Sequence, residues 1–467
     1  MPKLEKGHPQ ADMTTGRPAK RIFFFALPML LGNIFQQLYN MVDSIVVGNF
    51  VGPEALGAVG GTFPIAFVAI AVANGLGMGC SVVTSQYLGA GDRGAVRVSV
   101  TTALFFNLAV AVVLSAAGML FARPVLQLMN TPAATIGMAT DYLFIYFAGL
   151  APMFLYNAVS GAFRALGDSK TPLYYLILAS FLNVVLDLLL VIGSGMGVAG
   201  VAVATVLSQV VCALLALGHM LRRLRQYSVP GQSRAPDMAM LKTIVRLAVP
   251  ATAQELSVSI SSILFQSVIN KLGPMLVSGY TAANKIQSIA FVVNMNLGLA
   301  VSTFVAQNMG AGKVERVKKG FRCGCAMALA ATLCTFVLLQ LLGPHLIGLF
   351  VDAGSAPQVI AGGTYHLTHV AFVLFIEAIM LVAEGLLKGA GDMRLLLVCT
   401  TAGMALQTAA VFVLVGRIGF AAVWVSMGIG CLVEMTISLW RYFQGGWKNK
   451  AITRAAAESR RETSPTK

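Results

Sequence analysis

The chain is short of charge. Only 11% of its 467 residues are Asp, Glu, Lys or Arg, against roughly 25% in soluble domains. By contrast, 57% are apolar and the mean hydropathy is +0.78. One core of this size cannot enclose that much apolar surface, so a soluble globular fold is excluded and the surrounding solvent is lipid. Acids are scarcer than bases, 18 against 33, for a net charge of +15. The bases lie in short clusters between apolar blocks. That pattern serves membrane topology and argues against a nucleic-acid partner. The seven cysteines (80, 212, 323, 325, 334, 399, 431) show no paired spacing beyond Cys323-x-Cys325. Neither a disulfide framework nor a zinc site is implied.

What is present is a series of apolar blocks. They run near 22–47, 55–84, 96–122, 135–163, 172–193 and 198–221, then 243–270, 276–306, 321–343, 359–387, 395–416 and 419–443. Each can cross ~30 Å of hydrocarbon at 1.5 Å per residue. Lipid offers no partner to backbone groups, so blocks this long and uniformly apolar fit helices. The expected fold is an all-α integral membrane protein of twelve transmembrane helices in two six-helix lobes. The first block is too long for a signal-peptide core and is read as a retained helix. The expected layout is a polar cytoplasmic tail over 1–20, a first lobe over 21–222 and a cytoplasmic loop over 223–240. A second lobe follows over 241–445, with a basic tail over 446–467.

Lys and Arg fix the orientation. The N-terminal tail carries Lys3, Lys6, Arg17, Lys20 and Arg21. The even-numbered loops carry Arg93 and Arg97; Arg164 and Lys170; Arg222, Arg223, Arg225, Arg234 and Lys242; Lys313, Arg316, Lys318, Lys319 and Arg322; and Lys388 and Arg394. The odd-numbered loops hold little beyond Arg123, Lys271 and Arg417. This alternation places both termini in the cytoplasm, and a cell (inner) membrane is the expected location.

The two halves repeat each other. Ala26-Leu27-Pro28 matches Ala248-Val249-Pro250, and Gly52-Pro53 matches Gly273-Pro274. LGMGCSVVTSQYLGAG from 76 matches LGLAVSTFVAQNMGAG from 297, at an offset of 221. Gly161 to Asp168 matches Gly385 to Asp392, at an offset of 224. Agreement along the whole half indicates duplication. With six helices each, both halves enter from the same side and the repeat is parallel, an arrangement transporters use.

Polar groups inside the spans are the candidate site, because an ionisable group there costs ~2.5–3.5 kcal/mol on insertion scales. Gln36, Asn40 and Asp43 fall on one face of the first helix. Asn183 and Asp187 do so in the fifth, and Thr205 and Gln209 in the sixth. If the faces converge, two carboxylates with amide and hydroxyl oxygens could hold a proton or a sodium ion; the alternative is interhelical hydrogen bonding that only fastens the bundle. In the repeat Asp43 falls opposite Phe265 or Leu264, depending on where a one-residue gap lies, and Asp187 opposite Val411. A pair needed for assembly alone should occur in both halves, which favours function. The second half offers Glu255, Lys285, Glu377 and Glu384, with Lys285 a possible counter-ion for Glu255 or Glu377. His366 and His369 are three apart without a visible third ligand, so no metal is expected. The turns Gly89-Ala90-Gly91 and Gly310-Ala311-Gly312 lack a following Gly-Lys-Ser/Thr and read as helix C-caps rather than phosphate loops. No catalytic constellation appears, so an enzyme is not expected, and energy has to come from an ion gradient or a partner.

The first-helix stretch LGNIFQQLYNMVDSIVVGNFVGPEALGAVG and the duplicated Gln-x-x-Gly-Ala-Gly element resemble the multidrug and toxic compound extrusion (MATE) family, over about 20–445. The resemblance implies two six-helix lobes with a central cleft and exchange of cationic amphipathic compounds for H⁺ or Na⁺. It implies no other cofactor. The motifs are most similar to the DinF-like branch, whose coupling residues match Asp43, Asn183, Asp187 and Thr205. Gln36, Asn40, Gln209, Glu255, Lys285 and Glu377 are then cleft candidates. The implied partners are small organic cations and the bilayer, with no nucleic acid, and the chain is expected to be a monomer. A flippase for a lipid-linked saccharide is the alternative, and Asp rather than Arg in the candidate helices speaks against it. A channel is a further rival, though it would not need two rocking lobes. Reporter fusions should place both termini and the Arg222–Met238 loop in the cytoplasm; an external signal from that loop would overturn the parallel two-lobe reading.

Overall fold

The computed structural model describes residues 12–230, 235–349 and 357–453. Among them are thirteen α-helices: α1 (Pro18–Val46), α2 (Pro53–Gly89), α3 (Arg93–Leu128), α4 (Ile136–Ala148), α5 (Leu150–Ala165), α6 (Lys170–Asp187), α7 (Gly197–Leu224), α8 (Met238–Ile269), α9 (Pro274–Gly310), α10 (Val314–Gly348), α11 (Pro357–Ala390), α12 (Met393–Ile418) and α13 (Ala421–Gln444). Eleven spans are long and apolar enough to cross a membrane, and α4 with α5 makes a twelfth that bends by 50°. The bend falls in the fourth expected block. Pro152 has no N–H to return to the carbonyl of Ala148, so the helix cannot run straight through Gly149.

The helix ends show why the Gly-Ala-Gly turns are where they are. Gly91 and Gly312 have φ of 75° and 70°, and the next amides, Asp92 N and Lys313 N, bond back to Tyr87 O (3.1 Å) and Asn308 O (2.8 Å). These are left-handed C-caps. Asp92 then caps α3 by accepting from Ala95 N at 2.9 Å.

The chain divides into two compact units, but not at the expected loop. The first comprises Leu27–Thr252, and the second Asp12–Ala26 with Ala253–Lys467. The chain passes between units inside α1 and inside α8, next to the matched Pro28 and Pro250. The reason lies in close packing on the helix heads. In the first unit Gly75 and Gly79 of α2 admit Thr252 and Ala248 of α8 at backbone distance, and Ala248 joins the core with Leu76, Phe147 and Phe154.

In the second unit the stretch expected to be a tail is held down. Met13 is buried, its N–H donates to Gln307 Oε1 (3.0 Å), and its carbonyl accepts from Asn308 Nδ2 (3.1 Å). Arg316 adds bonds to Met13, Thr15 and Gly16 carbonyls, and Lys313 one to Thr14. Burial pushes the Asp12 carboxyl up, but hydrogen bonds from Thr14 and Thr15 outweigh it and hold it below the usual carboxylate range. At the other terminus Trp447 is buried and stacks on Tyr442, so this part of the expected tail is also folded. Residues 1–11, 231–234 and 454–467 lie outside the described residues.

The second unit centres on α11, which packs against α9, α10 and α13. Glycine sets the α9–α11 spacing. A Cβ on Gly385 would fall 2.1 Å from the carbonyl oxygen of Gly298, so Gly385→Ala must force the helices apart. Such overpacking costs ~1–3 kcal/mol. Gly385→Ala should therefore lower the melting temperature of the purified protein, whereas Gly218→Ala, which meets nothing within 4 Å, should not.

Candidate functional site

The structure brings the predicted acids of the first unit together. Asp187 is the last residue of α6 and fully buried; Asp43, half-buried, lies one turn from the end of α1. Their carboxyl groups lie within hydrogen-bonding reach of each other. Asp43 Oδ1 and Asp187 Oδ1 are buried and receive no hydrogen bond from another donor among the described residues. Two carboxylates are acceptors only, so a hydrogen bond between them requires a proton on one.

Asn183, one turn before Asp187, completes the arrangement. Its Nδ2 donates to Asp187 Oδ2 at 2.9 Å, and its Oδ1 accepts from Thr205 Oγ1 of α7 at 3.3 Å. This orientation follows from the network, since the reverse would set the amide oxygen against the carboxylate. Gln209 is one turn further along α7, and its Oε1 is a buried acceptor with no partner among the described residues. Gln36 is exposed within its unit, and the Asn40 side chain lies outside the described residues. Both acids sit beside a wide turn: α1 runs into a π-helical turn over Val47–Val51, and α6 into one over Leu188–Gly193. Val46, Val47, Ala55, Val191, Val198 and Val201 form one apolar cluster around these turns.

The same two positions meet in the second unit with different chemistry. Phe265 and Val411, the repeat counterparts of Asp43 and Asp187, are buried in one core cluster with Tyr280 and Val423. The duplicated frame closes this corner with an apolar contact in one half and with an acid pair in the other.

A family profile, MatE, matches residues 28–189 and 250–415. Its two stretches start at the matched prolines, Pro28 and Pro250. The chain belongs to the MatE family. It is 30% identical over 439 residues to the "Probable multidrug resistance protein YpnP" of Bacillus subtilis (strain 168), covering 94% of this chain and 97% of that one. With the "Probable multidrug resistance protein NorM" of Thermotoga maritima it shares 25% over 440 residues, covering 93% and 94%. A solved MOP superfamily transporter from Pyrococcus furiosus, described as having a binding pocket of reverse polarity, superposes with a TM-score of 0.87 at 26% identity, covering 95% and 100%. The protein is thus an all-α, multi-pass membrane protein of the MatE family.

The second-unit candidates of this MatE chain do not form one group. Lys285 is exposed on α9. The cation beside Glu255 is instead Lys388, which also pairs with Glu384 at 3.1 Å. Glu384 is 5% exposed. Glu377 is buried, and its Oε2 has no partner among the described residues. His369 stacks on Trp424 and His366 packs edge-on against Tyr280, and no group of three metal-ligating side chains occurs among the described residues. The sequence reading passed over Glu434 of α13, which is 1% exposed, together with Gln254 and Thr400. An ionisable residue within CLVEMTISLW was the available signal.

Thr205→Val removes the hydroxyl that orients Asn183 and should cost ~0.5–1.5 kcal/mol. Thermal stability should fall modestly and the pH profile of transport should move. A pH profile superimposable on wild type would remove Thr205 from the site.

Proposed function

We propose that the protein is a secondary active efflux transporter. It exports cationic amphipathic compounds in exchange for an ion by alternating access of its two lobes, with Asp43 and Asp187 as the coupling carboxyls. The observation that carries this reading is the meeting of those two carboxyls from α1 and α6, backed by Asn183 and Thr205. A pair that shares a proton can exist with it or without it. Each form suits a different arrangement of α1 and α6, and a ligand that favours one form shifts the population. The shared proton also favours H⁺ over Na⁺ as the coupling ion, since a sodium ion would need several oxygens turned toward it.

The names of the relatives support multidrug cargo. A pocket that recognises bulky cations through apolar surface and few carboxylates imposes few directional bonds, so broad specificity is the physical expectation. On the same reading the protein works as a monomer in the cell inner membrane with both termini cytoplasmic, needs no cofactor beyond its coupling ion, and falls in the DinF-like branch.

The test is cargo uptake in proteoliposomes with the pH and Na⁺ gradients imposed separately. Wild type should export several unrelated organic cations under the pH gradient. Asn is nearly isosteric with Asp and permanently neutral, so Asp43→Asn should keep expression and melting temperature near wild type while abolishing gradient-driven export. Asp187→Asn should weaken coupling in the same way. Export by Asp43→Asn at the wild-type rate would refute the coupling role. Transport of no cation, with rescue of a cell-envelope defect instead, would favour the saccharide flippase.

A further inference from the structure

The second unit encloses a polar network that the coupling reading leaves unused. Four helices build it. Gln254 on α8 donates Nε2 to Glu384 Oε2 of α11 (3.4 Å) and to Thr400 Oγ1 of α12 (3.1 Å). Lys388, one turn beyond Glu384, donates to the same Oε2 at 3.1 Å. Thr400, accepting from Gln254, donates to Glu434 Oε1 of α13. Glu384 and Glu434, bridged through Gln254 and Thr400, lie within hydrogen-bonding reach of each other.

The donors of this network can be counted. Both Gln254 protons, the Thr400 proton and the Lys388 contact are assigned, and none lies between Glu384 and Glu434. A hydrogen bond there would join two acceptors unless one carboxyl carries a proton. With one proton the pair bears a single negative charge opposite Lys388, the cation that Glu255 also faces. Without it, two touching carboxylates would face one ammonium in a low-dielectric interior, where unbalanced charge is costly.

We propose that Glu384 and Glu434 form a second proton-binding site, separate from Asp43 and Asp187, which exchanges one proton with the side of the membrane that carries Lys388 and Arg441.

Several independent features fit. The backbone makes room for the acid: a Cβ on Gly403 would lie 3.2 Å from Glu434 Oε2 and 2.9 Å from Gly430 O. Glu377, two turns back on the same face of α11, is 7% exposed, and its Oε2 has no partner among the described residues. Cys431 of α13, one turn before Glu434, packs in one cluster with Val373, Met380 and Leu381 of α11, the stretch that carries Glu377. The other titratable groups facing the pair are Glu255 on α8, Lys388 on α11 and Cys399 on α12. Basic residues next to the pair reach the surface of this unit. The Lys388 side chain is 20% exposed, and Arg441, two turns beyond Glu434 and paired with Asp392 at 2.8 Å, is 18% exposed. The repeat again shows asymmetry: in the first half the counterparts of Glu384, Lys388 and Glu434 are Ser160, Arg164 and Cys212, a set with one base and no acid.

The inference does not rest on the coupling role of Asp43, and its test reads protons directly. Full-length protein in lipid nanodiscs would be stepped from low to high pH while infrared difference spectra follow the carboxylic-acid C=O stretch and an indicator dye counts released protons. Wild type should lose acid C=O intensity as pH rises. Glu434→Gln should lack one component of that signal and release about one proton fewer per protein. Gln can still donate to Glu384 and accept from Thr400, so this variant keeps the network intact. Asp43→Asn should retain the Glu434 component even where export is lost. Thr400→Val, which keeps both acids but removes one donor, should shift the frequency of that component; it serves as the readout if Glu434→Gln does not fold. Superimposable spectra and proton counts for wild type and Glu434→Gln would overturn the proposal. So would an acid band in wild type that does not respond to pH wherever the protein stays folded.

Discussion

Hydrocarbon supplies neither hydrogen-bond partners nor counter-ions, so every polar group in a span must find its partner inside the protein. The rest of the structure follows from that constraint. Hydroxyls inside helices turn back onto carbonyls of the preceding turn, as Ser180 does to Leu176 and Ser257 to Ala253. Amides and hydroxyls bridge neighbouring helices, as Asn294 does to Thr332 at 3.0 Å and Ser261 to Thr408 at 2.6 Å. Carboxyls have the hardest case, because no water is present to solvate a second charge. Asp43 and Asp187 lie against each other, so that one proton can serve both, and Glu384 has Lys388 beside it as well. Each solution is a group whose charge depends on one proton, and a protein built this way can respond to a proton gradient.

The duplicated frame separates what the fold needs from what the chemistry needs. Turn elements recur in both halves: Gly91 and Gly312 cap equivalent helices, and Gly167 and Gly391 share φ near 80°. Asp168 caps the helix that follows its turn through Thr171, while its counterpart Asp392 is engaged by Arg441 and Lys450. The acid pairs do not recur. Where the first unit has Asp43 and Asp187 the second packs Phe265 and Val411, and where the second has Glu384 and Glu434 the first has Ser160 and Cys212. Either corner can therefore be closed without an acid, which argues against assembly as the reason for the acids.

Much of this was legible in the sequence because the constraint acts on composition. Uniform apolar blocks marked the spans, and an Asp within one marked the site. The i, i+4 spacing of Asn183 and Asp187 placed them on one face, and the repeat showed that they were not fold-determining. Other features needed coordinates. The handover of α1 and α8 between units depends on side-chain size at Gly75 and Gly79, which periodicity does not report. Residues 12–16 are polar and read as a tail; only the cluster of Gln307, Asn308 and Arg316, some 300 residues away, turns them into a bound segment. Lys388 reads as a loop base in the sequence, because the burial provided by α8, α12 and α13 cannot be seen from α11 alone.

The wide turns beside the acids give the asymmetry a structural cause. Between Pro28 and Gly52 the first half is one residue longer than the second half between Pro250 and Gly273. A helix can absorb one extra residue without breaking if one turn closes with an i→i+5 bond. Gly52 N bonds to Val47 O at 3.1 Å in that pattern, inside the longer segment, whereas the second half ends its equivalent helix with a 3₁₀ turn at Asn270–Leu272. The gap left unplaced by the sequence therefore falls after Asp43, which makes Phe265 rather than Leu264 its counterpart. The same holds for α6. The first half is two residues longer between Asp168 and Gly197 than the second between Asp392 and Gly419, and the π turn with Ser194 N on Leu189 O at 3.0 Å lies there. The corresponding stretch of α12 stays α-helical to Ile418. Asp187 thus sits immediately before its inserted residues and Asp43 one turn before its own, on helices that lose their regular hydrogen-bond ladder on that side. Such a turn is easier to rearrange than a continuous α-helix. On the proposed coupling role, a change in the charge of the pair would act where α1 and α6 resist it least.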